Sequence, residues 1–180
     1  MRFRVTSLGA LVCCTVLALS ACGGGSKPNT AGGPRAGLPS GAADPCRLAT
    51  PTEVSAAVGA PVSSPLRSSV AGADGTVLTC TWRGTAADPE SVAELDVYPT
   101  TAAFDQARKT QSTGTGNAAT GSGFHEISGV GDAAFAGEQG IIWVRKGNSA
   151  FTVHWFDPKN PPLATIAKGT ALAKVVAARA

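Results

Sequence analysis

Only two histidines occur in the 180 residues, too few for a histidine-rich metal or catalytic centre, since zinc needs three or four convergent ligands. His125-Glu126 lacks the second histidine of an H-E-x-x-H helix. No G-x-S-x-G occurs either, so a serine nucleophile would have to sit on some other strained turn. No apolar run reaches the roughly 20 residues that a transmembrane helix requires. Phe3 separates Arg2 from Arg4, which removes the twin-arginine signal and leaves general secretion as the export route. Internal repeats are missing, and so is an excess of one charge in the second part of the chain. Four of the basic residues, Arg2, Arg4, Lys27 and Arg35, precede Asp44, whereas every acidic residue lies at or after it. The segment from Asp44 onward therefore carries eleven basic residues against twelve acidic ones. That near-neutral balance gives no electrostatic footprint for nucleic acid and no polybasic membrane patch.

What is present begins with an address. Arg2 and Arg4 form a positive n-region, Leu8 to Leu19 an apolar stretch too short to span, and Ser20-Ala21 a small-residue exit. Leu19-Ser20-Ala21-Cys22 resembles the lipobox of bacterial lipoproteins. In such a motif the thiol accepts a diacylglyceryl group, and the small residues before it let an extended backbone enter the signal peptidase. Cys13 and Cys14 fit poorly because Val12 and Cys13 precede them. Residues 1–21 are thus expected to be removed and Cys22 to carry the lipid. Two acyl chains hold a protein stably where one binds only marginally, so the mature chain is expected on the outer face of the cytoplasmic membrane.

Gly23 to Ala43 is built almost entirely of Gly, Ser, Pro, Ala, Thr and Asn, with Leu38 its one large apolar residue. Nothing there can drive folding, and residues 22–43 read as a lipidated N-terminus and flexible linker. A coil of this length reaches roughly 25 Å. Of the five cysteines, two leave with the signal and one is acylated. Cys46 and Cys80 remain as a pair in an oxidising compartment, and a disulfide between them is expected.

Residues 44–180 read as one α+β domain. Thr50-Pro51-Thr52-Glu53 predicts a capped helix start, and Gly59 its end. Thr76 to Arg83 alternates, with Leu78, Cys80 and Trp82 on one side and threonines on the other. Ser91 to Tyr98 alternates Ala93, Leu95 and Val97 against Glu94 and Asp96. Thr101 can cap a helix to about Gln111 that buries Phe104 and Ala107. Ser112 to Gly123 has no core-forming side chain and is expected to be a mobile loop. A strand near Phe124 to Ser128 is expected to continue, after the turn-rich Gly129-Val130-Gly131-Asp132, at Ala133 to Ala136. Ile141 to Lys146 and Ala150 to Phe156 form a hairpin turning at Gly147-Asn148. Asn160-Pro161 opens a last helix with two apolar sets, Leu163, Ile166, Ala167 and Leu172, Val175, Val176, about half a turn out of phase. Either Gly169 bends that helix or both its sides are covered. The order predicts a single antiparallel sheet of about five strands with helices packed on one face.

The series Cys46-x-Leu48, Pro51-Thr52-Glu53-Val54, Cys80-Thr81-Trp82 and Val130-Gly131-Asp132-Ala133-Ala134 resembles a family of actinobacterial lipoproteins of unknown function, over about Cys46 to Val176. The resemblance implies a lipid-anchored envelope domain with its two cysteines bridged. It carries over no activity.

Chemistry is sparse. Gly129-Val130-Gly131-Asp132-Ala133-Ala134 matches G-x-G-x-x-A, but a dinucleotide site needs a helix opening there; a tight turn with glycines at positive φ is expected instead. His125, Glu126 and Asp132 suit a solvated surface cluster better than a metal site. His154 with Asp157 could supply a base and its orienter, without an identifiable nucleophile; Ser122 lies in the glycine-rich loop. No cofactor is indicated. The binding hint lies in the hairpin aromatics Trp143, Phe151, Trp155 and Phe156, which alternation puts on both faces of the strands: if Trp143 and Ile141 lay on an uncovered sheet face, they would form an apolar patch for a lipid, a glycan or an envelope protein, with Trp155 a further candidate for it. The function expected is a non-enzymatic, membrane-anchored binding module. The alternatives are a small extracytoplasmic hydrolase using His154 and a structural envelope component.

Overall fold

The computed structural model describes residues 43–72, 75–114 and 123–180. The expected signal peptide, Cys22 and nearly all of the linker lie outside the described residues, as do residues 115–122 of the expected loop, Ser122 among them. The described residues belong to one compact unit, Gly37–Ala180.

Two short helices open the domain. In α1 (Pro45–Leu48) the Asp44 carboxylate accepts the amide of Cys46. In α2 (Pro51–Val58) Thr50 and Glu53 form the expected reciprocal capping box, and Gly59 ends the helix in the left-handed region at φ 69°. Three strands follow, β1 (Leu66–Gly72), β2 (Gly75–Arg83) and β3 (Val92–Tyr98), then α3 (Ala102–Ser112). Strands β4 (His125–Ile127) and β5 (Ala133–Ala136), a 3-10 turn at Glu138–Gly140, the hairpin β6 (Ile142–Lys146) and β7 (Ser149–Phe156), and α4 (Pro162–Ala177) complete the chain.

All pairings are antiparallel within one open sheet of order β1-β2-β3-β7-β6-β5-β4. The α+β class is as expected; among the described residues the strand count is seven rather than about five. One added strand is β1. All seven of its residues are exposed, so it carries no alternation of the kind that reveals a half-buried strand. The other addition comes from the glycine-rich turn. Gly129 and Gly131 both take positive φ, 73° and 59°, and the chain reverses there, so β5 pairs back on β4 instead of continuing it. No helix opens at this turn, which disposes of the dinucleotide-like match. Its Asp132 accepts the Gly147 amide at 2.7 Å and so fastens the Gly147-Asn148 turn of the hairpin. That bond is the main reason its carboxyl lies below the usual range.

The sheet has two unlike faces. On the front face Cys80, Trp82, Ala93, Leu95, Phe151, Val153, Trp155, Ile142 and Val144 are buried beneath α1, α2 and α4. The Cys46–Cys80 disulfide joins α1 to this face. On the back face Phe104 of α3 sits against Phe135 and Ala150, with Tyr98, Phe124 and Trp143 packed around them. Helices therefore cover both faces, not one. The expectation failed at α3 because Phe104 finds its partners on the alternate residues of β5, β6 and β7. Thr101 occupies the cap position of α3 without a side-chain cap bond.

Helix α4 shows one buried stripe: Thr165, Ile166, Gly169, Leu172, Ala173, Val176 and Ala177. Leu163, by contrast, is exposed. The two apolar sets are thus bridged by a glycine and a threonine on a single face, and Gly169 lets α4 approach the sheet. A Cβ there would stand 3.2 Å from Ile142 Cγ1. Gly169→Ala is expected to be nearly neutral, because the helix gain of up to about 1 kcal/mol offsets a slight crowding. Gly169→Leu should cost about 1–3 kcal/mol by overpacking, read from urea unfolding; equal stability of the two variants would show that the contact is loose.

The end of α4 is clasped to the start of α2. Arg179 forms a forked pair with Glu53, one arm at 2.8 Å, and donates to the Leu48 carbonyl at 3.1 Å. The Arg179 bond holds the Glu53 carboxyl at about 2, well below its ordinary 4.5. A carboxylate with a lowered folded-state pKa stabilises fully above its unfolded value and loses that contribution as pH falls through the folded value. Parent protein should therefore lose more stability between pH 4.5 and 2 than Arg179→Ala, as measured by unfolding across that window. Parallel pH profiles would mean the clasp contributes nothing.

Candidate functional site

Helix α3 covers only the β5-β6-β7 side of the back face, and the remainder carries polar side chains from neighbouring strands. Asp96 on β3 accepts from Thr79 on β2 at 2.6 Å and from Thr152 on β7 at 3.1 Å. Two residues along β3, Glu94 lies directly opposite His154 of β7. Partial burial raises the Glu94 carboxyl above its usual value, and the Asp96 charge adds to the effect. Burial lowers the His154 imidazole, opposed by its bond to Gln139 and by the Asp96 charge. The His154 imidazole, the hydrogen-bonded Asp96 carboxylate and the Glu94 carboxyl make this stripe rich in acceptors.

The stripe runs into a cleft of about 420 Å³ at the far end of β7, within the range of about 300–1,000 Å³ typical of ligand sites. Unequal strand lengths create it. Strand β6 begins at Ile142, opposite Val153, so His154 to Phe156 have no strand neighbour on that side. The 3-10 turn forms one wall there, and the loop into α4 together with Thr165 forms the other. His154 Nε2 lies 3.1 Å from the Gln139 carbonyl oxygen. A carbonyl can only accept, so Nε2 carries the proton and Nδ1 is left as an acceptor. Gln139 itself holds φ 61°, the one positive φ outside glycine among the described residues; such strain persists only where its surroundings enforce it.

Asp157 is buried at the cleft floor, accepting from the Lys159 amide at 2.9 Å and from the Asn160 side chain, with the Lys168 ammonium 4.0 Å away. Those bonds shape the entry to α4. Asp157 is not hydrogen-bonded to His154, so the anticipated base and orienter pair does not form. His125 and Glu126 point to opposite faces of β4, and Glu126 pairs with Arg108 at 2.6 Å. Among the described residues no three potential metal ligands converge.

The anticipated aromatic patch is divided by the sheet. Trp155 is fully buried on the front face, with the Lys168 ammonium 5.8 Å from its ring centroid. It belongs to the core. Trp143 lies on the back face, stacked between Tyr98 at 5.5 Å and Phe135 at 6.2 Å and half-buried. Ile141 is half-buried just before β6. The structure does not bring these three together. The aromatic that remains open is Phe156, 49% exposed, its ring 6.4 Å from that of His154. Alternation along β7 places the two rings on one face, a signal present in the sequence. The cleft walls supplied by Gln139 and Asn160 had no such signal.

A scan against protein-family models and searches of curated proteins and of solved structures return no match.

Proposed function

We propose that the chain is an exported lipoprotein, held on the outer face of the cytoplasmic membrane by a diacylated Cys22, and that its domain is a non-enzymatic binding module of the cell envelope. The observation that carries the binding reading is the cleft at the end of β7, where a half-exposed aromatic ring meets acceptors from three elements. The anchor rests on Leu19-Ser20-Ala21-Cys22 and the charged and apolar segments before it. The disulfide supports it, because such bonds persist outside the reducing cytoplasm. A His154-based hydrolase is less well supported, since the Asp157 carboxylate is bonded to the Lys159 amide and the Asn160 side chain instead of to His154, and no serine or cysteine is among the described residues that line the cleft.

The anchor is tested by labelling cells with an alkyne-bearing fatty acid and separating membranes. The parent should carry the label and sediment with membranes, and Cys22→Ser should carry none. Equal labelling of both would reject the lipidated cysteine, wherever the variant fractionates.

A further inference from the structure

We propose that the cleft between the 3-10 turn, the end of β7 and the start of α4 binds a neutral sugar ring, stacked on Phe156 and hydrogen-bonded through its hydroxyls. The inference rests on the binding reading above and names the ligand class. A ligand of this cleft must satisfy three conditions set by its walls.

The first is the absence of net charge. Among the described residues lining the cleft there is no lysine or arginine, and the one carboxyl group, that of Asp157, is buried and already bonded. The cations nearby are committed: Lys168 lies between Asp157 and the Trp155 ring, and Lys159 donates to Asp88 at 2.7 Å. A phosphate or carboxylate would be desolvated there without a partner, which is costly.

The second condition is an apolar face. Phe156, Pro158 and Pro162 present C–H and ring surface around the opening. The Phe156 ring, 49% exposed and tilted 58° to that of His154, offers one open ring face at the mouth of the cleft. A long acyl chain laid across a single ring face would stay half in water and gain little, whereas a flat ring with C–H groups on one side matches it.

The third condition is several donors. His154 Nδ1 is an acceptor, and Gln139 and Asn160 are among the lining residues, each bringing an amide that can accept as well as donate; Glu94, opposite His154 on β3, stands next to the cleft and not among its lining residues. Hydroxyl groups around the edge of a ring supply donors at several angles and can also accept from the Gln139 amide. An uncharged pyranose has all three properties together, whereas phosphorylated sugars fail the first, fatty acids the first and third, and alkanes the third.

The test uses the purified lipidated protein in detergent, probed by saturation-transfer NMR and calorimetry. The probes are methyl β-D-glucopyranoside, maltose and cellobiose, with glucose 6-phosphate and hexanol as controls. At least one neutral sugar should bind, and glucose 6-phosphate should bind about tenfold more weakly. Phe156→Ala should weaken the sugar by about tenfold or more with its unfolding midpoint unchanged, because this ring is half in solvent; Phe156→Trp should restore binding. If the neutral sugars do not bind, or bind equally to Phe156→Ala, the sugar assignment is overturned. Hexanol binding that depends on Phe156 would also overturn it while leaving the cleft as a binding site. If none of the five probes depends on Phe156, the binding role of the cleft falls with it.

Discussion

Replacing both Cys46 and Cys80 by alanine is expected to remove about 4 kcal/mol of folding stability. The bridge spans 34 residues, and in the chain-entropy account a loop of that length restricts the unfolded chain by on the order of 3.8 kcal/mol at 25 °C. Its position argues for a full effect. Helix α1 has four residues, far below the length at which a helix holds itself together in water. Its hold on the sheet comes from Pro45 and Leu48, from the ion pair of its cap residue Asp44 with Arg67 of β1, and from the bridge, whose Cys80 is fully buried among Trp82 and Leu95. Alanine leaves no unpaired hydroxyl in that site, so the loss reports the cross-link and not a new polar group. Urea unfolding of the oxidised parent and of the double variant measures it. A difference under about 1 kcal/mol would mean that α1 is held by packing alone.

Trp155→Ala should be equally severe, costing about 3–5 kcal/mol. The ring is fully buried on the front face, opposite Ala93 of β3, and its indole N–H has no hydrogen-bond partner. The cost is therefore one of lost packing, with a cavity under α4 that a helix carrying its own tight contact at Gly169 cannot close. Trp155→Phe should lose less than half as much. Trp143→Ala should also cost less, because that ring, although stacked between Tyr98 and Phe135, is only half-buried. A Trp155→Ala protein within about 1 kcal/mol of the parent would contradict a core role and return this residue to consideration as binding surface.

Much of the architecture could be read from residue order where one face of an element is buried. Leu78, Cys80 and Trp82 in β2, Ala93, Leu95 and Val97 in β3, and the hairpin turning at Gly147-Asn148 each stand where the alternation places them. The capping box at Thr50 and Glu53 was equally legible, because its bonds are local. Three features were not. Strand β1 buries nothing and so leaves no periodic trace. The stripe on α4 passes through Thr165 and Gly169, which no hydropathy pattern selects. The side of the sheet chosen by α3 depends on Phe135 and Trp143, distant in sequence from Phe104. For the candidate site, the polar row on β3 was visible in Glu94 and Asp96. The cleft was not, because it arises from β6 starting short of the end of β7, a property of pairing and not of any one residue.

Strand β1 has a practical consequence. With Leu66 at 59% and Val70 at 65% exposure, its side chains contribute no interior packing, and it lies six positions from β4 across the sheet and on the far side of β2 and β3 from the His154 cleft. A single introduced thiol at Ser68 or Ser69 could therefore carry a fluorophore or spin probe without disturbing the hydrophobic centre, giving the domain a reporter well separated from the cleft beside His154.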